Sequence, residues 1–429
     1  MRRIFQMTIQ VIGILGLFVL MVVLMMTRKL PTILALPIMA VGIALIAGIP
    51  FMGGEFSIAK DVLEAGAMRM STAIAGLFFG GFFGKVLSRV GITNTIIRKA
   101  AEMAGDKPLP IAYAFLIVTS VIFAASNGLG MFILVGTIIV PIMISAGLSP
   151  LVAGTILLLG NGVGVTFSVG TLGVYIDTLG LPLETVTQYS FLCAAPLIVV
   201  AVIMVYVMVK SGGKKRKAWA MPASDMGGDK NVRSIALISP LIPVVLVFAF
   251  KLPLVAAILI GIVATLILAT PKNAVHVVSS SFVEGIQETA GACGLMIGIG
   301  MVLKAVMAPE VAAVLEPVIK AIIPSSAIMF VLVFGLLSPL AIYRGPLNVW
   351  GLGSGIVALL ASCGMNPVAA MVALRLDSNV QAVCDPTNSH NVWISDFTKT
   401  DVNDYLKKTI LWIAVSTLAG LIVASFIVL

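Results

Sequence analysis

The stretch from Leu109 to Ala146, LPIAYAFLIVTSVIFAASNGLGMFILVGTIIVPIMISA, decides the fold. It is apolar from end to end except for a patch at its middle, Ser126-Asn127-Gly128-Leu129-Gly130. Each flanking arm has about sixteen residues, and a full bilayer crossing takes about 20. The pattern predicts a re-entrant hairpin with a polar tip at mid-depth. A second stretch, Ser325 to Cys363, has the same form around Tyr343-Arg344-Gly345-Pro346-Leu347-Asn348. Non-helical backbone at membrane depth survives only against protein or a water-filled cavity. Free amides and helix N-termini at such a tip favour anions.

The whole chain reads as a membrane protein. Of its 429 residues, 60% are hydrophobic and only 10% charged, against about 25% charged in soluble domains. A mean hydropathy of +1.14 excludes a soluble domain, a disordered chain and a fibrous repeat. The 41 Gly and 21 Pro suit bundled membrane helices, whose neighbours re-satisfy the backbone groups these residues free. Cys193, Cys293, Cys363 and Cys384 form no CxxC and lie in apolar stretches, as packing residues do.

Ten spans are expected besides the two hairpins. In the first half they are Ile4–Met26, Thr32–Met52, Ser71–Ser88, Pro150–Thr178 and Ser190–Val209. In the second they are Ser234–Phe250, Leu252–Thr270, Ala290–Val306, Pro367–Trp393 and Lys408–Leu429. Polar amphipathic connectors are expected over Gly53–Arg69, Gly91–Ala104, Pro271–Glu288, Ala308–Pro324 and Ser395–Lys407. The N-terminal run is long and has no small-residue cleavage site after Met26, so it reads as a span rather than a signal peptide. The net charge of +9 is unevenly placed: 18 Lys and Arg fall on one side of this topology, 7 on the other, and Arg344 and Arg375 inside apolar stretches. The bias puts the basic loop Lys210–Arg233 in the cytoplasm and both termini outside. The basic residues sit at segment ends, without the reading face that nucleic-acid binding needs.

The two halves align at a shift of about 217. Gly147-Leu148-Ser149-Pro150 falls on Gly364-Met365-Asn366-Pro367, and the first tip falls on the second. The expected organisation is a first repeat over 1–210, a basic linker over 211–233 and a second repeat over 234–429. Five crossings per half make the second repeat inverted, as in secondary transporters. The helices after each hairpin are interrupted too. One carries Gly160-Asn161-Gly162-Val163-Gly164-Val165-Thr166-Phe167-Ser168-Val169-Gly170-Thr171, a run expected to unwind. The other carries Asp377-Ser378-Asn379 and Asp385-Pro386-Thr387-Asn388-Ser389-His390-Asn391.

These features, with Thr27-Arg28-Lys29-Leu30 after the first span, resemble the ion transporter superfamily. Within it they are most similar to the citrate–metal:proton symporter family and, more loosely, to the gluconate permease family. The resemblance covers nearly the whole chain. It implies an all-α fold with an elevator mechanism: a homodimeric scaffold, and a mobile domain holding hairpins and broken helices. Ser126-Asn127 resembles the start of the Ser-Asn-Thr tips of the superfamily's sodium–dicarboxylate members, with Gly128 in place of Thr. The citrate–metal family has an acidic tip, and this chain has no carboxylate there.

The expected function is transport of a small organic anion, such as citrate, a C4-dicarboxylate or a gluconate-like carboxylate, coupled to H⁺ or Na⁺ with no other cofactor. The expected setting is the bacterial inner membrane. Arg344 anchors the carboxylate in this reading, because an intramembrane Arg is costly and grips carboxylates bidentately. The other substrate-binding candidates are Ser126, Asn127, Gly128, Asn161, Thr166, Ser168, Thr171, Gly345, Asn348, Thr387, Asn388 and Ser389. For the coupling ion, or a bound Na⁺, the candidates are Asn127, Asn161, Asp377, Asn379 and Asp385. The alternative for each Asp is a salt bridge to Arg375 or Arg344. His390 is expected to cap its helix, His276 has no assigned role, and Asp177 and Glu184 are expected to be solvated at the outer rim. An intramembrane enzyme is the rival from another class. It would need a metal cluster or a nucleophile–base pair, and two distant His without HExxH offer neither. A channel is the third reading, but paired broken helices fit stoichiometric binding better.

Overall fold

The computed structural model of the chain describes residues 2–27, 29–105, 107–211 and 232–429. Nearly all of the linker expected over 211–233 therefore lies outside the described residues. In chain order the helices are α1 (Arg2–Met26), α2 (Thr32–Ala47), α3 (Ala65–Arg69), α4 (Ser71–Arg89), α5 (Ile92–Ala104), α6 (Pro108–Ala125), α7 (Leu129–Ser145), α8 (Pro150–Phe167), α9 (Val169–Leu179) and α10 (Leu183–Gln188). They continue with α11 (Ser190–Ser211), α12 (Leu241–Phe248), α13 (Leu254–Ala269), α14 (Ala274–Val306), α15 (Pro309–Ile322), α16 (Ala327–Leu337), α17 (Gly353–Ser362), α18 (Pro367–Cys384), α19 (Ser389–Thr398) and α20 (Val402–Val428). Among the described residues there is no strand. Among the described residues, seven helical segments are long and apolar enough to cross a membrane, or eight if the pair α15 and α16, bent by 101°, counts as one. Large side chains such as Ile12, Val19, Val199, Val263, Leu411 and Phe426 are exposed on the outer helices. In water they would form apolar patches; in a bilayer they face their solvent.

The aligned punctuation has one physical meaning in both halves. Gly147 and Gly364 take φ values of 97° and 111°, which end α7 and α17 in left-handed turns open mainly to glycine. Leu148 N then reaches Met143 O at 3.1 Å, and Met365 N reaches Leu360 O at 3.0 Å. Ser149 Oγ accepts from Val152 N, and Asn366 Oδ1 from Val368 N, which caps the next helix. Pro150 and Pro367 occupy its first turn, where the missing N–H costs nothing. The capped helices α8 and α18 are both 18 residues long.

Several expectations are corrected. Gly53–Arg69 is not a simple connector: a π-helical turn over Ile58–Glu64 and α3 run into α4 as one segment of 32 residues, Ile58–Arg89. Its counterpart Pro271–Glu288 is not a connector either, because α14 runs unbroken through 33 residues. The polar and small faces of these segments pack on each other rather than on water. A Cβ on Gly66 would lie 2.7 Å from Met301 Cα, one on Gly81 would lie 2.9 Å from Gly285 O, and one on Gly285 would lie 2.6 Å from Phe82 Cα. Small residues let the two backbones approach this closely. Ser234–Phe250 is not a straight span: after a 3₁₀ turn over Ser234–Ile238, α12 has 8 residues, about 12 Å. Pro240 and Pro243 fragment it, and the chain turns at Lys251, φ 56°. The connector expected over Ser395–Lys407 is mostly helix, since α19 runs to Thr398 and α20 starts at Val402.

Helices α2, α3 and α13 gather around the α4/α14 crossing. Helices α6, α8, α11, α18 and α20 form a second cluster, and α9 packs on α4 where the two adjoin. That junction is built of small residues. A Cβ on Gly76 would meet Gly170 O at 3.0 Å, and one on Gly173 would meet Ala73 Cα at 2.7 Å.

Candidate functional site

The first hairpin has arms of 18 and 17 residues, α6 and α7, and a three-residue tip, Ser126–Gly128. Gly128 takes φ 135°, a value strained for any side chain. The arms exceed the expected length, and α6 alone is long enough to cross a membrane. The second hairpin has shorter arms, 11 residues in α16 and 10 in α17, joined by a 3₁₀ turn over Ser338–Ala341 and a long non-helical tip.

The glycine run Gly160–Gly164 does not unwind, contrary to expectation. It stays helical because α6 fills the space a side chain would need. Thr119 blocks Gly160, and a Cβ on Gly164 would sit 2.6 Å from Ser120 O. The break comes at Ser168, whose ψ is 117°. Thr166 and Thr171 spend their hydroxyls locally, on Gly162 O and on Val165 O and Ser168 O. In the second broken helix Asp377-Ser378-Asn379 also remains helical. The break falls between Cys384 and Ser389.

The four discontinuities join side to side. Asn127 Nδ2, on the first tip, donates to Ser168 Oγ, on the first break, at 2.8 Å. Ser126 Oγ donates to Gly80 O on α4 at 3.1 Å. On the second break, Asp385 Oδ1 accepts from Tyr343 N of the second tip at 2.9 Å, and from Thr387 N and Oγ1 at 2.9 and 2.7 Å. Asn348 Nδ2 reaches Asp385 Oδ2 at 3.4 Å and Ala341 O at 2.9 Å. Gly345 packs on the Leu340 carbonyl, with no room for a Cβ. His390 closes the ring. Its Nδ1 pairs with Asn388 Oδ1 at 2.9 Å, its ring meets Phe132 of α7 at 4.8 Å, and it lies beside the Gly128 backbone and within the field of Arg344.

Arg344 is half-buried at the second tip, with φ 58°. Asp385 is near enough for its charge to act on Arg344, yet its closest partners are the amides and hydroxyl above. Arg375 does not pair with Asp377. It donates to Val186 O at 2.7 Å, Thr166 O at 2.8 Å and Ser190 Oγ at 2.9 Å, and stacks over Tyr175 at 4.9 Å. Asp377 is fully buried, and neither of its oxygens has a hydrogen-bond partner. Asn161 Oδ1 and Asn379 Nδ2 are likewise buried and unpartnered. Asn388 caps α19, and Ser389, its first residue, is exposed. Among the described residues, no group of three or more His, Cys, Asp or Glu is placed to hold a metal ion.

Three residues carry more than the sequence reading allowed. His390 joins the second break to the first hairpin, through its ring contact with Phe132. Glu288, in the expected connector, accepts from Met131 N at the start of α7 and pairs with Lys85 at 2.9 Å. Asp177 is not merely a solvated rim residue: its Oδ2 accepts from Ala73 N in the first turn of α4 at 2.8 Å. Adjacency inside the quoted motif was the one signal for His390. No local signal existed for the other two.

No family model matches this sequence, and no curated protein matches it. Several solved structures share its fold, two transporters among them. The YdaH transporter of Alcanivorax borkumensis, described as having an unusual topology, superposes with a TM-score of 0.58 at 13% identity, over 91% of this chain and 96% of that one. MtrF of Neisseria gonorrhoeae, described within a class of antimetabolite efflux pumps, gives 0.56 at 11% identity, over 93% and 96%. At such identities the likeness shows the fold: the chain is a multi-pass, all-helical membrane protein folded like these two transporters.

Proposed function

We propose that the chain is a secondary active transporter for a small organic anion, coupled to H⁺ or Na⁺ and working as an elevator. The observation that carries this reading is the linkage of the discontinuities: tip to break through Asn127–Ser168, tip to break through Tyr343–Asp385, and the second break to the first hairpin through His390 on Phe132. Arg344 holds the substrate carboxylate, with the amides of the second tip and the N-terminus of α19 beside it. Asp377, Asn161 and Asn379 supply the coupling site, because buried polar atoms without partners are costly unless a ligand completes them.

The halves form inverted repeats in this reading. Two observations support it. The same cap chemistry recurs 217 positions apart, and α3/α4 cross α14 antiparallel, with Gly66 against Met301 and Gly81 against Gly285. The cluster of α6–α11 with α16–α20 is the moving body, and the small-residue junction of α4 with α9 is its track. A homodimer in the bacterial inner membrane, with both termini outside, completes the proposal.

Uptake into proteoliposomes of a panel of di- and tricarboxylates and sugar acids, under imposed H⁺ or Na⁺ gradients, tests it. Uptake that follows one gradient and is lost in Arg344→Ala is expected. Full uptake by Arg344→Ala removes the anchor, and currents without gradient-coupled accumulation favour a channel.

A further inference from the structure

The N-terminus of α7 already holds a carboxylate. Glu288 Oε1 accepts from Met131 N at 2.8 Å, and Glu288 Oε2 lies 2.9 Å from Lys85 Nζ. Both oxygens are therefore engaged, one by a helix N-terminus and one by an ammonium. The carboxylate comes from α14, the ammonium from α4 and the amide from the hairpin, so the cluster crosses from one body to the other. The Glu288 side chain is 11% exposed and that of Lys85 is 27% exposed.

The tip is shaped around this carboxylate. A Cβ on Gly128 would lie 3.2 Å from Glu288 Oε1, and one on Gly130 would collide with it. A purely structural ion pair needs no space beside it, but this one has space. It opens on a cavity of about 300 Å³ lined by Lys85, Ser88, Ser126, Thr137 and Glu288. Ser88 also lines a second cavity of about 1440 Å³, whose wall includes Arg89, Arg98, Lys272 and His276. The two cavities share Ser88, and the larger one carries Glu102 among its basic residues.

We propose that the first hairpin tip and Lys85 form a carboxylate site that Glu288 occupies as a tethered surrogate, and that a carboxylate of the incoming anion displaces it. The displacement breaks the contact between the Met131 amide and α14, while Ser126 still reaches Gly80 O on α4. Glu288 is then both a gate and an internal competitor, and Lys85 is a specificity residue. The site takes one carboxylate of the transported anion. This inference rests on the transport reading above for its role, but the site itself is testable without transport.

The probe is formate, compared with chloride, in thermal unfolding of the purified full chain. Wild type is expected to respond alike to both salts. Glu288→Ala is expected to melt lower and to be raised by formate alone, and Glu288→Ala with Lys85→Ala is expected to lose that response. An equal response of Glu288→Ala to formate and chloride overturns the site. Should Glu288→Ala not fold, Glu288→Gln keeps an acceptor for Met131 N and loses the attraction to Lys85. Its apparent affinity for a dicarboxylate is expected to rise on the order of tenfold, the scale of one hydrogen bond to a charged group; an unchanged affinity overturns the gate. Formate rescue without uptake of any carboxylate by wild type would sink the transport reading and leave the site standing. Uptake with neither rescue nor an affinity change would do the reverse.

Discussion

Replacing Asp385 with Ala removes the group that holds the second tip in shape. Its Oδ1 takes three donors within 2.9 Å, namely Tyr343 N, Thr387 N and Thr387 Oγ1. Truncation leaves two backbone N–H groups and a hydroxyl without an acceptor, in a place where Asp385 itself is fully buried. Each orphaned group costs about 1–3 kcal/mol. The tip also carries strain: Tyr343 and Arg344 sit at φ 56° and 58°, and each left-handed non-glycine residue costs about 1–2 kcal/mol. The carboxylate opposes that strain, so its loss lets the tip relax. Taking about 3 kcal/mol as the net loss in local stability, amides over 342–352 should exchange with solvent about a hundredfold faster. Asp385→Asn keeps an oxygen for the same donors but not the charge, which roughly halves each bond's strength, so about tenfold faster exchange is expected. Hydrogen-exchange mass spectrometry on lipid nanodiscs reads this directly, with peptides from α8 as the internal control. If Asp385→Ala exchanges over 342–352 like wild type, the tip is held by its own packing and the reasoning fails.

Arg375→Met removes three hydrogen bonds and a cation–π contact that tie α18 to α8, α9, α10 and α11. Each lost hydrogen bond to the charged group should cost about 1.5–3 kcal/mol, and the sum should show as a large loss of monodisperse protein after heating in detergent. Gly173→Ala places a Cβ 2.7 Å from the Ala73 backbone. Overpacking of about 1–3 kcal/mol is expected, read as a lowered melting temperature, whereas Gly180→Ala, with open space around it, meets only the conformational cost of its φ of 67°. Ser149→Ala and Asn366→Ala remove matching helix caps and should each cost about 1 kcal/mol. Comparable thermal losses are expected for the pair, and a negligible loss in both would show that the caps do not hold the two helices.

The parts of the fold that were readable from sequence are those decided by local chemistry. Gly147-Leu148-Ser149-Pro150 needs nothing beyond itself to end one helix and start another. The tips at Ser126–Gly128 and Tyr343–Asn348 interrupt apolar runs whatever surrounds them. What was not readable depends on partners far away in the chain. Gly160–Gly164 looks like a helix breaker alone and becomes a packing groove once Thr119 and Phe123 press into it. The polar residues of Pro271–Glu288 suggest a wet connector until α4 is laid against them. Glu288 and Lys85 are ordinary charges in sequence; their meaning comes from the crossing of α4 and α14 over the first hairpin. Candidate residues fared by the same rule. Asn127, Ser168, Asn348, Asp385, Thr387 and Asn388 lie at the discontinuities and meet there, whereas Asp377, Asn161 and Asn379 sit inside intact helices.

The matched halves differ most where charge is concerned, and the difference orders the chemistry. At the first tip and break the polar residues are Ser126, Asn127 and Ser168, all neutral. At the second they include Arg344, Asp385 and His390, with Asp377 inside the preceding helix. The first hairpin compensates with long, regular arms, and takes its charges from outside itself, as Lys85 and Glu288. The second has short arms and a strained tip, and is held by a carboxylate from its own half of the chain. The Glu288 carboxylate comes from α14 and not from the hairpin, so its contact with Met131 N can break without loss inside the hairpin. The charge cluster of α18, α19 and the second tip is bonded within itself, with Asp385 on the Tyr343 amide. In the transport reading the permanent anion anchor belongs with Arg344 and the breakable contact with Glu288. In the transport reading, that division lets one end of the site carry the substrate while the other end lets go.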